Sequence, residues 1–431
     1  MRPSPPGASE PAPRPSGRPK PVVLIVIDGL TPSMLEAAPP PTLALLLAEG
    51  AYRRATSTFP SLTPVCLASI ATGGHPDVHG IPHLVWWSRA EERLVEYGSS
   101  FAALVAAGLA RGIRDAIVNL NERHLLPSAE TIFEALEDAG LATAAINATT
   151  YRGRHLHASP VPGLPPVRGP RRFFFYSVYE SDRTGAPIAW RGRARGSIDA
   201  YAGQVGRWLV TRDAFDLLVF YLPDYDYASH ALGPGAAHEA LARADAAISA
   251  LVEAAGGLDA FLDRYAVLLC SDHGHARVER AARLRVPGGL VTASNRAAMV
   301  YGDDPRRLAA SLEREPSVDV VLFREDGELV ARRGGDEDLA LLDEFPDGRL
   351  RAEAALRNPN AGEVLVSAAE GWEFADLAGR SHVGGGSHGA LARADSEVPM
   401  LAVGLGTPPA SITEIKPFLL EHFGVAVARA A

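Results

Sequence analysis

Seven residues with metal-binding or nucleophilic side chains lie between Asp28 and His388, each at or near the end of an apolar run. Asp28 follows VVLIVI, and Thr63 sits in TFPSLTPVCLASIATG. Asp226 and His230 lie in YLPDYDYASHALGP, Asp272 and His273 follow AVLLCS, and His388 lies in GGGSHGA. One acid after one strand carries little information. Three carboxylates, three imidazoles and a hydroxyl in this arrangement point to two divalent ions with a nucleophile between them. That equipment suits a hydrolase acting on phosphorus.

Each residue also has a plainer reading. Thr63 precedes a helix that opens on Pro64, where a threonine ordinarily serves as an N-cap. A hydroxyl there also faces free backbone N–H groups and the positive end of the helix dipole, which suits a phosphoryl oxygen. Coordination would lower its pKa and make it a usable nucleophile. Asp226 and His230 have i, i+4 spacing, which on one helical turn places both on one face, a common zinc spacing; otherwise they belong to a solvated turn. Asp272 and His273 are adjacent and point apart on extended chain. They serve one ion only with a turn, which Gly274 permits, or they straddle two sites. His388 sits among glycines that allow close approach to a metal, or is a surface histidine.

The elements that must position these residues alternate. Strands are expected over 22–27, 84–87, 142–146, 173–178, 217–222, 266–270 and 398–403. Helices are expected over 41–50, 64–72, 128–140, 197–210, 236–255 and 412–423, with loops over 75–82 and 151–171. Such alternation favours an α/β fold with a doubly wound, largely parallel sheet, whose ligands gather beyond the carboxyl ends of its strands. Asp28, Asp226, Asp272 and His273 stand at or just past such ends. The expected organisation is a single catalytic domain over 21–431, with insertions at about 83–210 and 276–385.

Composition narrows the class. Hydrophobic content of 47% supplies a buried sheet, and a net charge of −9 argues against a broad nucleic-acid-binding surface. Two cysteines, Cys66 and Cys270, make no disulfide framework. Residues 1–20 are rich in Pro, Ser, Arg and Gly, lack the apolar core of a signal peptide, and read as a disordered tail. No run approaches the roughly 18 apolar residues of a membrane span. A cytoplasmic location is therefore expected.

With these motifs in this order, the chain resembles the alkaline phosphatase superfamily, and within it the nucleotide pyrophosphatase/phosphodiesterase branch. VVLIVIDGL, the block from Thr58 to Ile81, PDYDYASHALGP, SDHG and GSHG carry the resemblance. It implies that Asp28, Thr63, Asp272 and His273 hold one zinc ion, and that Asp226, His230 and His388 hold the other, with Mn2+ or Fe2+ also compatible. It implies in-line attack by Thr63 on a small phosphate ester or nucleotide, giving a covalent phospho-threonine that water then hydrolyses, with net retention at phosphorus. The resemblance also implies an asparagine for a phosphoryl oxygen where Cys66 stands; a thiol is a weak donor, so monoester or phosphonate substrates stay open. Cys66, His275 and His382 are further candidates for substrate contact. His75 and His79, at H-x3-H spacing, are expected to order the loop after the nucleophile helix.

Overall fold

The structure is a computed structural model, and it describes residues 17–176, 178–180, 197–212 and 215–426. Residues 1–16 of the expected tail, and position 177 of the strand expected over 173–178, lie outside the described residues.

The main sheet contains β1 (Val22–Ile27), β2 (Ala51–Thr56), β3 (Thr143–Ile146), β4 (Arg172–Phe175), β5 (Tyr179–Glu180), β6 (Leu217–Leu222), β7 (Ala266–Cys270) and β8 (Glu397–Val403). Its spatial order is β2-β8-β7-β1-β6-β3-β4-β5. From β7 to β4 every neighbour is parallel. β8 runs against β7, and β2 runs against β8, so β2 points the same way as the parallel set. This is the doubly wound, largely parallel sheet the alternation predicts.

β1 is continuously apolar because both of its faces are covered. Val23, Ile25 and Ile27 pack with side chains of the helices α2 (Ser197–Val210) and α4 (His238–Ala255). Val22, Leu24 and Val26 pack on the other side, against Leu67 and Ile70 of α1 (Thr63–Thr72). The short helix α3 (Asp224–Leu232) follows β6 directly.

Several local expectations shift. β2 was missed because it is an edge strand with mostly exposed side chains, Arg53 and Arg54 among them. The helix expected over 128–140 shortens to Ile132–Asp138, where Thr131 and Glu134 form a reciprocal capping box. The loops expected over 75–82 and 151–171 hold the short helix Pro76–His79 and a hairpin of His155–His157 with Val167–Gly169. The span 83–210 is not wholly an insertion, since β3, β4, β5 and α2 belong to the main sheet and its helical cover. Within 276–385, six strands form a second sheet. One of its faces packs against Phe59, which precedes α1, and Leu391, which follows His388.

Candidate active site

Asp28 leaves the end of β1, and Asp272 lies two residues past β7. α3 carries Asp226 and His230, and the loop before Thr63 leaves the end of β2. The parallel edge therefore gathers them, and His388 arrives from the segment leading into β8. Asp28, Asp272 and His273 bring one ligand atom each within 4.8 Å of one another, and Asp226, His230, His275 and His388 do the same. His273 and His388 stack at 3.5 Å between ring centroids, so the two groups touch.

Thr63 is the first residue of α1, not its cap. Leu62 occupies the N-cap position, and no side chain caps the helix. The Thr63 hydroxyl is 3.1 Å from His273 Nε2. It thus faces the cluster of Asp28, Asp272 and His273, and it is only partly buried.

The histidine tautomers follow from their backbone contacts. Nδ1 of His273 is 3.0 Å from the Gly274 carbonyl, Nδ1 of His230 is 2.8 Å from the Gly386 carbonyl, and Nδ1 of His388 is 2.7 Å from the Ser61 carbonyl. A carbonyl only accepts, so each Nδ1 carries a proton, which leaves Nε2 as the nitrogen that can turn a lone pair into the site. That lone pair faces Asp28 Oδ1 at 3.3 Å for His273, and Asp226 Oδ2 at 3.4 Å for His230. Acceptor opposes acceptor in both places. Asp28 Oδ1 and Asp272 Oδ2 are buried and have no hydrogen-bond partner among the described residues. Buried acceptors that face one another without donors fit divalent cations.

Electrostatics give the same picture. Burial, and then the neighbouring Asp272 and Asp226, push the Asp28 carboxyl well above its usual range, even though the Tyr221 hydroxyl donates to it. Burial alone would raise Asp226 too, and it falls well below the usual value only when His230, His275 and His388 carry positive charge. Burial keeps His230 down at about 4 and His388 well below its ordinary value, so both rings are neutral near pH 7.

The other candidates divide. His275 Nε2 lies 2.7 Å from Asp226 Oδ1, so it belongs to the second cluster, and it is not among the side chains that line the cavity. His382 does line the cavity. It lies against His230 at 4.1 Å and pairs with Glu373 at 2.6 Å, which raises its pKa against the effect of burial. Cys66 is buried on the sheet side of α1 among Val26, Cys270 and Met400, with Sγ 3.3 Å from Ser57 Oγ. It is not among the side chains that line the cavity. His79 bonds Ser69 and the Ile81 amide, while His75 bonds Thr58, so they do order the loop.

The clusters open into a cavity of about 490 Å³ whose lining includes Thr63, Asp28, Asp226, His230 and His388. Leu84, Ile117, Leu120, Phe175 and Tyr176 are among its other lining residues, and no Lys or Arg lines it among the described residues. Two contributors escaped the sequence reading. Tyr221 pairs with Val26 across the sheet, and residues two apart share a strand face, so the parity of this pair is the signal that could have found its bond to Asp28. Asn295, from the second sheet, has its amide 3.1 Å from His388 Nε2 and gave no local signal.

A doubly wound sheet with a hydroxyl and two Asp/His clusters at its carboxyl edge defines an alkaline-phosphatase-like hydrolase. The chain belongs to the type I phosphodiesterase / nucleotide pyrophosphatase family, which it matches over residues 22–391. No curated protein matches the sequence. Among solved structures, it is similar to murine ectonucleotide pyrophosphatase/phosphodiesterase 5, with 15% identity, a TM-score of 0.66, and coverage of 96% of this chain and 97% of that one. It is also similar to phosphonoacetate hydrolase from Sinorhizobium meliloti 1021 in complex with phosphonoformate, with 20% identity, a TM-score of 0.65, and coverage of 95% and 96%. Among the described residues, no helix is long and apolar enough to cross a membrane.

Proposed function

We propose that the chain is a phosphodiesterase of the nucleotide pyrophosphatase type, with Thr63 as nucleophile and a small phosphate diester or nucleotide as substrate. Two divalent ions, zinc first, would be held by Asp28, Thr63, Asp272 and His273 and by Asp226, His230 and His388; Mn2+ or Fe2+ also suits such mixed nitrogen and oxygen donors. The observation that carries the reading is the Thr63 hydroxyl, 3.1 Å from His273 Nε2 and open to a cavity walled mainly by apolar and aromatic side chains.

Bound ions would activate the attacking hydroxyl and neutralise charge on the phosphoryl oxygens. The chain's own residues do the rest. Thr63, at the start of α1, directs Oγ1 at phosphorus with the helix dipole behind it. Attack forms the Oγ1–P bond and breaks the P–O bond to the leaving alcohol; water then cleaves the Thr63 ester. Two inversions give net retention. The apolar wall excludes water and receives the second ester substituent.

That wall favours a diester over a monoester or a carboxylated phosphonate. A doubly charged substrate would meet no Lys or Arg there among the described residues, and His382 is already paired with Glu373. Rates on bis-p-nitrophenyl phosphate and p-nitrophenyl phosphate test this. The diester should react much faster, and faster monoester hydrolysis would overturn the assignment. Thr63→Ala should lose turnover while stability changes by less than about 1 kcal/mol, because the hydroxyl caps nothing. Undiminished activity in that variant would remove Thr63 as nucleophile.

A further inference from the structure

We propose that the Asn295 carboxamide donates a hydrogen bond to a non-bridging phosphoryl oxygen, doing the work that the buried Cys66 cannot. The inference rests on the phosphoryl-transfer reading above and adds a substrate-binding residue to it.

Asn295 follows the strand Leu290–Ser294 and precedes the strand Ala297–Tyr301, so it stands in the turn of a hairpin of the second sheet. It is buried, yet it lines the same cavity as Thr63, Asp226 and His230. Its Nδ2 lies 3.1 Å from His388 Nε2. Because His388 Nδ1 donates to the Ser61 carbonyl, Nε2 is an acceptor and the amide must turn its NH2 towards it. The amide oxygen accepts from the Ser294 hydroxyl at 2.7 Å, which holds that orientation. When a cation takes the His388 Nε2 lone pair, both amide hydrogens are released, and the orientation kept by Ser294 lets them donate to an oxygen on a phosphorus held beside His388.

The turn is anchored from several directions. The Asn295 carbonyl accepts from the Phe374 amide at 2.7 Å, and the Arg296 amide donates to the His388 carbonyl at 2.9 Å. The buried Arg296 guanidinium bonds Asp395 and the Trp372 carbonyl. Asn295 itself sits at φ 57°, in the left-handed region. Asparagine tolerates that region, so a turn-forming role is the competing explanation.

Asn295→Gly separates the two, since glycine keeps the left-handed turn and removes only the amide. Asn295→Asp keeps the shape and replaces the donor with a negative charge. The measurements use the metal-loaded full chain: metal content, the dissociation constant for inorganic phosphate by calorimetry, and kcat with bis-p-nitrophenyl phosphate. In both variants metal content should stay at the wild-type level while phosphate binding weakens at least about tenfold and kcat falls about 100-fold. Wild-type phosphate affinity in Asn295→Gly would overturn the proposal and leave the turn role. Loss of metal from Asn295→Gly would also overturn it and make the amide a metal ligand. Phosphate binding that depends on Asn295 in a chain unable to cleave the diester would support the proposal while refuting the phosphodiesterase reading.

Discussion

Three histidines give their Nδ1 protons to the carbonyls of Gly274, Gly386 and Ser61, and this turns three Nε2 lone pairs towards carboxylates. The arrangement opposes the fold when no cation balances it. Asp28 has a pKa raised well above that of an unfolded aspartate, so folded chelated protein holds a proton that the unfolded chain has released. Stability of chelated protein should therefore fall as pH rises from the ordinary aspartate value through the raised one, by about 1.4 kcal/mol for each unit of upward shift. Asp28→Asn should lose metal binding, yet be more stable than chelated wild type at pH 7, with a gap that widens with pH across that window. Denaturant unfolding of both chelated proteins at several pH values checks this, and a less stable Asp28→Asn would contradict it. Asp28, Thr63, Asp226, Asp272 and His273 were read from strand and helix ends beside them, His230 from its i, i+4 spacing to Asp226, and His388 from the glycines around it. The roles of Cys66, His275 and Asn295 were not. Which way Cys66 faces depends on how α1 lies on the sheet. His275 and Asn295 reach the site through contacts with Asp226 and His388, distant in sequence, that leave no local pattern.

Among the elements, the buried strands and long helices were the most legible. β1, β6, β7 and α2 appear with the expected bounds because continuous apolar runs and helical periodicity are local properties. Short, exposed or cap-limited elements were not, as β2 and the helix Ile132–Asp138 illustrate. The segment after α1 carries its own pH dependence. Burial holds His75 and His83 down to about 4 and His79 to about 3. With folded values below the ordinary 6.5, the unfolded chain binds the extra protons first, so stability should fall as pH drops from about 6.5 to about 4. His83 accepts from the Val85 amide and donates to the Ala297 carbonyl, linking this segment to the second sheet. His83→Asn should be less stable at pH 7 but should lose less stability on acidification, by about 1.4 kcal/mol per pH unit. Equal slopes for the two proteins in denaturant titrations would remove His83 from this account.

At the scale of the whole molecule, two sheets meet at one reaction centre. The main sheet supplies the Thr63 and Asp clusters, and the second sheet supplies Asn295 and a wall against Phe59 and Leu391. Arg351, fully buried in the helix Gly348–Arg357, donates to the Thr58 carbonyl and Ser61 hydroxyl before Thr63 and to the Leu391 carbonyl after His388. The span read as an insertion thus helps position the site, which composition and periodicity do not reveal. The central claim is that Thr63 forms a covalent intermediate between two metal clusters. The most direct measurement is the stereochemical course of hydrolysis of a single diastereomer of a phosphorothioate diester in heavy-oxygen water. Two displacements predict net retention at phosphorus, and inversion, the mark of direct attack by water, would contradict the account.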